Sequence, residues 1–336
     1  MKIFITGIAG FLGSHIAERL ISSGHTVAGI DNILGGYIDN IPPIMTGPLL
    51  IEDCLNHEAM AEAMEDYDVV FHAACTPYEG LSVFSPALVC ETVYAVTASV
   101  LSASISAGVE RFVYCSSMAR YGTQDFVPFT EDMLCYPQDP YGISKLASES
   151  LVHNLCSTHG MDYSIVVPHN IYGPRQKYDD PYRNVAAIMC NLMLQGRQPF
   201  IYGDGTQKRC FSYIDDVTPA LQRILFEEGM NGEIVNIGPD DEPVTILDLA
   251  EQIAELIGID FNPTFLDPRP QEVYYANCSA NKARALLDYR TETSLTHGLE
   301  ELIAYIEKRG TKPFTYHLPL EIDNHLTPRS WKERLF

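Results

Sequence analysis

The chain is short of positive charge. It carries 22 lysine and arginine residues against 44 aspartate and glutamate residues, which gives a formal net charge of −22 over 336 residues. Nucleic acids and anionic membranes attract basic surfaces, so this balance argues against both as partners. A ligand that carries phosphate must then be held by local donors, because the overall field of the protein repels it.

Ordered cysteine spacing is also absent. The nine cysteines form no C-x-x-C pair and no zinc-site spacing, so no metal site is expected. Scattered cysteines in odd number are typical of reduced thiols and predict a cytoplasmic protein. No apolar run approaches the length of about 18 residues that spans a membrane. Strand-like residues follow directly after Met1 and Lys2, so we expect neither a membrane span nor a signal peptide.

Hydrophobic residues make up 46% of the chain, and they fall into alternating strand and helix patterns. This alternation predicts an α/β fold with a doubly wound parallel sheet of the Rossmann type and a smaller α/β substrate-binding domain. The predicted strands lie at 2–6, 26–31, 68–72, 111–115 and 162–167, and the main helices at 11–23, 87–107 and 141–159.

The pattern breaks into shorter elements after Pro168, among them a predicted strand at 208–214. We therefore predict a nucleotide-binding domain over 1–168, with some later segments crossing back to it, and a substrate domain over 169–310. The remaining residues, 311–336, form an aromatic and proline-rich extension whose role the sequence does not indicate.

Three glycines follow the first strand and open the first helix. Gly7, Gly10 and Gly13, with Phe11 and Leu12 between them, stand where a glycine turn brings backbone N–H groups to a pyrophosphate. Asp31 ends the second strand about 20 residues further on, where a carboxylate binds ribose hydroxyls and repels a 2′-phosphate. The pattern therefore favours NAD over NADP.

A tyrosine and a lysine stand four residues apart downstream. Tyr141 and Lys145 lie on one face of the predicted helix, with Ser117 upstream in the sequence. The lysine ammonium favours the phenolate over the phenol, so a group with a pKa near ~10 becomes a usable base near neutral pH. The spacing predicts that a hydroxyl loses a proton while its carbon loses a hydride.

Taken in order, these motifs resemble the extended short-chain dehydrogenase/reductase family, and within it the nucleotide-sugar epimerases and dehydratases. The resemblance covers residues 1–309. It includes the glycine turn, Asp31-Asn32, His72-Ala73-Ala74, Cys115-Ser116-Ser117, Tyr141 to Lys145, Asn170 to Pro174, Gly203 to Arg209 and Arg269 to Val273.

The resemblance implies a role for each matching residue. Tyr141 is then the base, Lys145 its electrostatic partner and Ser117 a hydrogen-bond partner of the reacting hydroxyl. Asn170 contacts the substrate, and Arg209 and Arg269 clamp its diphosphate. Phe11, Leu12, Asn32 and Ala73 belong to the NAD site with the three glycines and Asp31, and Asp53 is expected to face the adenine. The family also implies a homodimer built from helices near 86–107 and 141–159.

The residues after Ser117 narrow the reaction. Related dehydratases carry an acid pair there and related decarboxylases a glutamate, whereas this chain has Met118 and Ala119. Neither side chain can transfer a proton, so C4 epimerisation of a UDP-hexose through a 4-keto intermediate is the leading hypothesis. An NAD(P)H-dependent nucleotide-keto-sugar reductase and a non-catalytic dinucleotide sensor are the alternatives.

Two positions bear on the sugar. Ala276 stands where hexose 4-epimerases carry a bulky residue, which favours room for the N-acetyl group of UDP-GlcNAc or UDP-GalNAc beside UDP-Glc or UDP-Gal. Lys177 stands near the place of an arginine that holds the carboxylate in glucuronate 4-epimerases. A UDP-glucuronate 4-epimerase therefore stays a further alternative.

Overall fold

The structure is a computed structural model and describes residues 1–240 and 243–336. Its centre is a parallel sheet of seven strands, which crosses from one edge to the other in the order β11 (Glu233–Ile237), β6 (Asp162–Pro168), β5 (Arg111–Cys115), β4 (Val69–His72), β1 (Lys2–Thr6), β2 (Thr26–Asp31) and β3 (Leu49–Ile51). Every pairing in this sheet is parallel. The strand order reverses between β1 and β4, and such a switch opens a ligand crevice at the carboxyl ends of the strands.

Helices cover both faces of the sheet. The helices of the described residues are α1 (Phe11–Ser22), α2 (His57–Ala63), α3 (Glu79–Ser82), α4 (Pro86–Cys90), α5 (Val96–Ser106), α6 (Pro140–His159), α7 (Val185–Leu194), α8 (Ile214–Ile224), α9 (Ile246–Ile257), α10 (Asn281–Leu287), α11 (Leu295–Arg309) and α12 (Arg329–Lys332). Helices α1, α8 and α10 lie on one face, and α2, α5 and α6 on the other. The predicted doubly wound fold is therefore confirmed.

The core follows from the alternation of side chains along buried strands. In β1, Ile3 and Ile5 pack with Ile16 and Leu20 of α1, while Phe4 between them packs on the opposite face. All five side chains are fully buried. Strands buried on both faces read as continuous apolar runs, which is why residues 2–6 are recognisable as a strand without a polar–apolar alternation.

Later residues both rejoin this sheet and form a second layer. Strand β11 pairs with β6, so residues 233–237 belong to the central sheet. Helices α7, α9 and α11 share a separate core cluster. The short strands of this region are β7 (Ile171–Tyr172), β8 (Phe200–Tyr202), β9 (Lys208–Arg209), β10 (Ser212–Tyr213), β12 (Val244–Thr245), β13 (Thr264–Leu266) and β14 (Tyr275–Ala276).

The strand predicted at 208–214 is wrong in detail. The segment divides into β9, which pairs with β12 and β14, and β10, which pairs with β7. Ile214 already begins α8. Each short strand pairs with a distant partner, so tertiary contacts and not local propensity set these boundaries.

Residues 86–106 form a continuous helical segment through α4, a π turn over 91–95 and α5. By length and composition this segment is apolar enough to cross a membrane, with a mean hydropathy of 1.6 over its best window. The expectation that the chain has no segment long and apolar enough to span a membrane is therefore wrong. Core helices of globular proteins also reach it, and Val89, Val93 and Val100 are buried here against the rest of the protein.

Candidate active site

A cleft opens above the carboxyl ends of β1, β2, β4 and β5 and encloses about 450 Å³. Its walls come from loops that follow these strands and from the later residues of the chain. This position is the one where open parallel sheets bind ligands. Most residues that the sequence singles out line it, namely Gly7, Gly10, Phe11, Leu12, Gly13, Asp31, Asn32, Asp53, Ala73, Ser117, Tyr141, Lys145, Asn170, Arg209 and Arg269.

The glycine turn needs its glycines. Gly7 has a φ of +77°, and a Cβ on Gly13 would lie 2.2 Å from the carbonyl oxygen of Gly7. Gly10 is the N-cap of α1, so no side chain occupies the first N–H groups of that helix, and its first turn carries no acidic residue. These free donors at a helix N-terminus fit a pyrophosphate.

Asp31 lies at the carboxyl end of β2, beside the glycine turn. Its carboxylate accepts hydrogen bonds from the backbone N–H of Ala9 at 2.9 Å and of Ile33 at 2.7 Å. Burial raises the pKa of this carboxyl above its ordinary value, although both N–H groups oppose the rise. Nearby, Asn32 donates to Asp53 at 2.9 Å. The residues present therefore fit a dinucleotide, with its phosphates at the turn and a ribose at Asp31.

Helix α6 carries the tyrosine and the lysine. Asp139 caps the helix, because its carboxylate accepts from the N–H of Gly142 at 2.9 Å, and Pro140 occupies the first helical position. Tyr141 and Lys145 follow one turn apart, and both are buried. The Nζ of Lys145 donates to the carbonyl oxygen of Cys115 at 2.7 Å. That bond fixes the ammonium beneath the carboxyl end of β5.

The pKa of Tyr141 differs from the sequence expectation. Burial is the dominant cause and raises it above the ordinary value, whereas the charge of Lys145 and a hydrogen bond with Ser117 lower it. For Lys145, burial acts to lower the pKa, but the anionic forms of Cys75, Tyr114 and Tyr141 outweigh it and the net shift is upward. The lysine therefore stays charged, and its field acts on the phenol in the expected direction without overcoming burial.

Ser117 joins this pair from the end of β5. It is the N-cap of a short 3₁₀ turn over 118–120, and its Oγ accepts from the N–H of Ala119 at 3.2 Å. The same hydroxyl forms the hydrogen bond that lowers the pKa of Tyr141. The structure thus brings Ser117, which follows β5, together with Tyr141 and Lys145 of α6.

Two acidic residues near the tyrosine were missed by sequence reasoning. Glu79 and Asp139 both line the cleft. Burial, followed by the negative charge of Glu79, raises the pKa of Asp139 to about 7. Asp139 before a proline at a helix start signals a cap, but nothing in the sequence places it beside Glu79, 60 positions away in the chain.

The two arginines converge at another part of the cleft. Nη2 of Arg269 lies 2.9 Å from Oε1 of Glu272, and Nη2 of Arg209 lies 4.0 Å from the same oxygen. Arg209 also donates to the carbonyl oxygen of Val273 at 2.5 Å. Nε of Arg269 is buried and has no hydrogen-bond partner among the residues that the structure describes. The carboxylate of Glu272 therefore pairs with the guanidinium groups of both Arg209 and Arg269. N–H groups of these arginines that Glu272 does not occupy can donate to an anion.

Of the other residues expected to bind substrate, some line the cleft and one does not. Asn170 lines the cleft and donates to the carbonyl oxygen of Cys210 at 3.0 Å, with a φ of +42°. Lys177 also lines it, but its Nζ lies 3.6 Å from Asp179 and 4.7 Å above the ring of Tyr37. Ala276 lies apart from the cleft lining and is buried in the core cluster under the sheet. That Ala276 leaves room for an N-acetyl group stays a prediction from the resemblance.

Comparison with known proteins agrees with this geometry. Residues 3–238 match the NAD dependent epimerase/dehydratase family. A UDP-glucose 4-epimerase of Mycolicibacterium smegmatis is 29% identical over 92% of this chain and 100% of its own length. A UDP-N-acetyl-alpha-D-glucosaminuronate decarboxylase of Bacillus cytotoxicus is 31% identical over 91% of this chain and 98% of its own.

A solved structure extends the agreement to the whole fold. It is a UDP-glucuronic acid 4-epimerase from Bacillus cereus in complex with UDP-glucuronic acid and NAD, which is 31% identical. The alignment covers 92% of this chain and 100% of that protein, with a TM-score of 0.86. The chain therefore belongs to the NAD-dependent epimerase/dehydratase family, within the nucleotide-sugar epimerase group of the extended short-chain dehydrogenases/reductases. It is an enzyme of the epimerase kind, and its cofactor is NAD.

Proposed function

We propose that the protein interconverts two UDP-hexoses that differ in configuration at C4, through a 4-keto sugar. The observation that carries this proposal is the convergence of Ser117, Tyr141 and Lys145 in one cleft with the glycine turn and two arginines. The arginines suit a diphosphate, and the tyrosine suits proton transfer at a sugar hydroxyl.

The chain's own residues have separate tasks in this proposal. Ser117 donates a hydrogen bond to O4 of the sugar. This bond orients the O4 hydroxyl so that the proton of O4 points toward Tyr141. The phenolate of Tyr141 takes that proton, and the charge of Lys145 stabilises the phenolate while it exists. NAD, when bound, supplies the acceptor and donor of the hydride at C4. After the sugar turns over in the cleft, Tyr141 returns the proton to O4 and the enzyme regains its starting state.

Dehydration and decarboxylation are less well supported. Met118 and Ala119 follow Ser117 in the 3₁₀ turn, and neither can carry a proton. The relative from Bacillus cytotoxicus is named as a decarboxylase, so loss of carbon dioxide is the outcome that the experiment must distinguish. A reductase would require a reduced cofactor in every turnover, whereas an epimerase regenerates NAD.

The charges in the cleft favour a sugar without a carboxylate. Glu79 and Asp139 line the cleft together with Tyr141, and the negative charge of Glu79 acts on Asp139. A uronate would bring a third carboxyl group into this cleft. Lys177, the residue suited to a uronate, already has Asp179 as its partner. We therefore propose UDP-glucose or UDP-galactose and their N-acetylamino counterparts as substrates ahead of UDP-glucuronate.

A proton NMR time course tests the proposal. The purified protein is incubated with NAD and no reductant, separately with UDP-glucose, UDP-N-acetylglucosamine and UDP-glucuronate. We expect a new anomeric signal of a galacto-configured product with the first or second compound, and a slower reaction with the third. A pentose product from UDP-glucuronate, or turnover only after a reduced cofactor is added, would overturn the proposal.

We also propose that the enzyme is a cytoplasmic homodimer. All nine cysteines are free thiols, which suits a reducing compartment. Helices α4 to α6 pack together and leave apolar side chains on their outer side, with Tyr94 41% and Ile143 52% exposed. Light scattering tests this arrangement. Ile143→Glu should give a monomer if these helices form the interface, and an unchanged dimer would place the contact elsewhere.

A further inference from the structure

The C-terminal segment 311–336, which we name the strap, is fixed to the body of the protein. Trp331 is 3% exposed and Leu318 is 8% exposed. Both belong to a cluster with Tyr78 and Phe84, which lie between β4 and α4, and with Tyr182, which precedes α7. The strap is therefore a packed element of the structure, although the family resemblance ends before it.

Hydrogen bonds tie the strap to the loop that follows β4. The hydroxyl of Ser85 donates to the carbonyl oxygen of Pro319 at 2.6 Å, and Ile322 donates to that of Phe84 at 2.9 Å. The carboxylate of Glu321 accepts from Ala87 at 2.9 Å and from Leu88 at 2.8 Å. It thereby satisfies free N–H groups at the start of α4.

The strap reaches the arginine pair through two contacts. Ser330 shares a hydrogen bond of 2.5 Å with the hydroxyl of Tyr202, and the guanidinium of Arg269 lies 4.8 Å above the Tyr202 ring. A Cβ on Gly80 would lie 3.1 Å from Nη1 of Arg269 and 3.5 Å from Cη2 of Trp331. Arg269 is thus confined between a ring that the strap anchors and a loop that the strap covers.

Phe336 brings the strap into the cleft itself. Its side chain lines the cavity, and its ring centre lies 5.3 Å from that of Phe200. Phe200 and Tyr202 both belong to β8, so the strap supports this strand at two points. Among the described residues, Nε of Arg269 has no hydrogen-bond partner, so it is a donor available to an anion in this part of the cleft.

We propose that the strap is part of the substrate-binding site. In this proposal Ser330, Trp331 and Phe336 hold Tyr202 and Arg269 in the position that receives the diphosphate of the nucleotide sugar. This inference rests on the proposed function only in that the ligand is a nucleoside diphosphate sugar. The strap residues are positioning residues, since none of them takes part in proton transfer.

The sole tryptophan of the chain makes the proposal measurable without turnover. Trp331 lies in the strap, so its emission reports on the cleft next to Arg269. We expect uridine diphosphate to change the tryptophan emission of the wild-type protein. NAD alone should change it less, because Trp331 packs in a cluster with Tyr78, Leu81 and Phe84 that contains none of the residues assigned to the NAD site.

Single substitutions in the strap test its role in ligand binding while the rest of the fold is kept. Phe336→Ala removes the cleft contact, and Ser330→Ala removes the bond to Tyr202. Loss of one such contact is expected to weaken uridine diphosphate binding by about five- to tenfold. KM for the nucleotide sugar should rise by a similar factor, with kcat and NAD binding almost unchanged. Leu326→Ala is the matched control, because Leu326 lies in the strap but is 54% exposed.

The outcomes distinguish this inference from the proposed function. A response of Trp331 to uridine diphosphate, weakened in both variants, supports the strap even if no sugar is epimerised. If Phe336→Ala and Ser330→Ala bind uridine diphosphate like Leu326→Ala while epimerisation proceeds, the strap proposal is overturned. A fall in kcat with unchanged KM would also overturn it, since the role assigned to the strap is to bind the diphosphate.

Discussion

The ammonium of Lys145 lies 5.8 Å from the centre of the Tyr141 ring, one helical turn further along α6. At this distance the lysine acts on the phenol through its field, while its hydrogen bond goes to the carbonyl oxygen of Cys115. Burial and charge therefore oppose each other at Tyr141. Burial favours the neutral phenol, and the charge of Lys145 favours the phenolate that proton transfer requires.

Removal of the phenolic hydroxyl is the direct test of this role. Tyr141→Phe should lower kcat by about 10²- to 10⁴-fold, because it removes the hydroxyl to which the proposal assigns proton transfer. KM and NAD content should change little. The measurement is the initial rate of epimerisation with saturating substrate, together with the absorbance of bound nucleotide.

Tyr136→Phe provides the matched control. It removes the same atom from a ring that is 61% exposed, so its rate should equal that of the wild-type protein. Near-normal turnover of Tyr141→Phe, with Tyr136→Phe also active, would mean that another group is the base.

The residues that the sequence assigns to the cofactor half of the site share one cleft, and local spacing explains why this could be predicted. Gly7, Gly10 and Gly13 sit in one turn, and Tyr141 and Lys145 in one helix, so short-range geometry decides where they point. Asp31 ends a strand whose buried residues make it easy to recognise. The structure places all of them in the cleft lining.

Asp31 allows a test of cofactor choice. Asp31→Asn keeps the shape of the side chain but removes its negative charge from a buried position. We expect NAD affinity to fall by about tenfold, the scale of one hydrogen bond between a ribose hydroxyl and a charged group, and the preference over NADP to narrow. Titration of the nucleotide-free enzyme with each cofactor measures both effects.

Asp125→Asn is the control for this change, since Asp125 is exposed and lies apart from the cleft lining. Its affinities should match those of the wild-type protein. An Asp31→Asn enzyme that discriminates NAD from NADP as strongly as before would remove Asp31 from the cofactor site.

The substrate-binding half of the site could be predicted only in part, because it is formed by segments that lie far apart in the sequence. Arg209 and Arg269 share Glu272, and this contact depends on the pairing of β9 with β14. Ala276 of the same strand pair is buried in a core cluster. Motif position predicted two arginines that line the cleft, whereas Ala276 is not among the lining residues.

Arg209 should affect binding more than chemistry. Arg209→Met removes one of the two guanidinium groups, so we expect KM for the nucleotide sugar to rise about 10- to 100-fold with kcat nearly unchanged. Steady-state kinetics over a wide substrate range separates the two constants. Arg223→Met, which alters a half-exposed arginine paired with Asp288 at 3.8 Å, should leave both constants unaltered. A loss confined to kcat would contradict the diphosphate role.

Asp139 predicts a pH dependence of stability. Its pKa in the folded protein is raised to about 7, against 3.8 for an ordinary aspartate, so between these values the folded state binds a proton that the unfolded state has released. The resulting stabilisation is fully present below the ordinary value and is lost as the pH rises through about 7. The contribution of this group to the free energy of unfolding should therefore fall by up to about 1.4 kcal/mol per pH unit across that range.

Asp139→Asn isolates this contribution, because asparagine also caps helices and can still accept from Gly142. Urea denaturation at several pH values should show that the wild-type protein loses stability relative to Asp139→Asn as the pH rises. Glu79→Gln removes the charge that helps to raise the pKa of Asp139, so the loss should be smaller and should end at a lower pH. If the free energies of unfolding of Asp139→Asn and the wild-type protein run parallel across the range, Asp139 does not hold the extra proton.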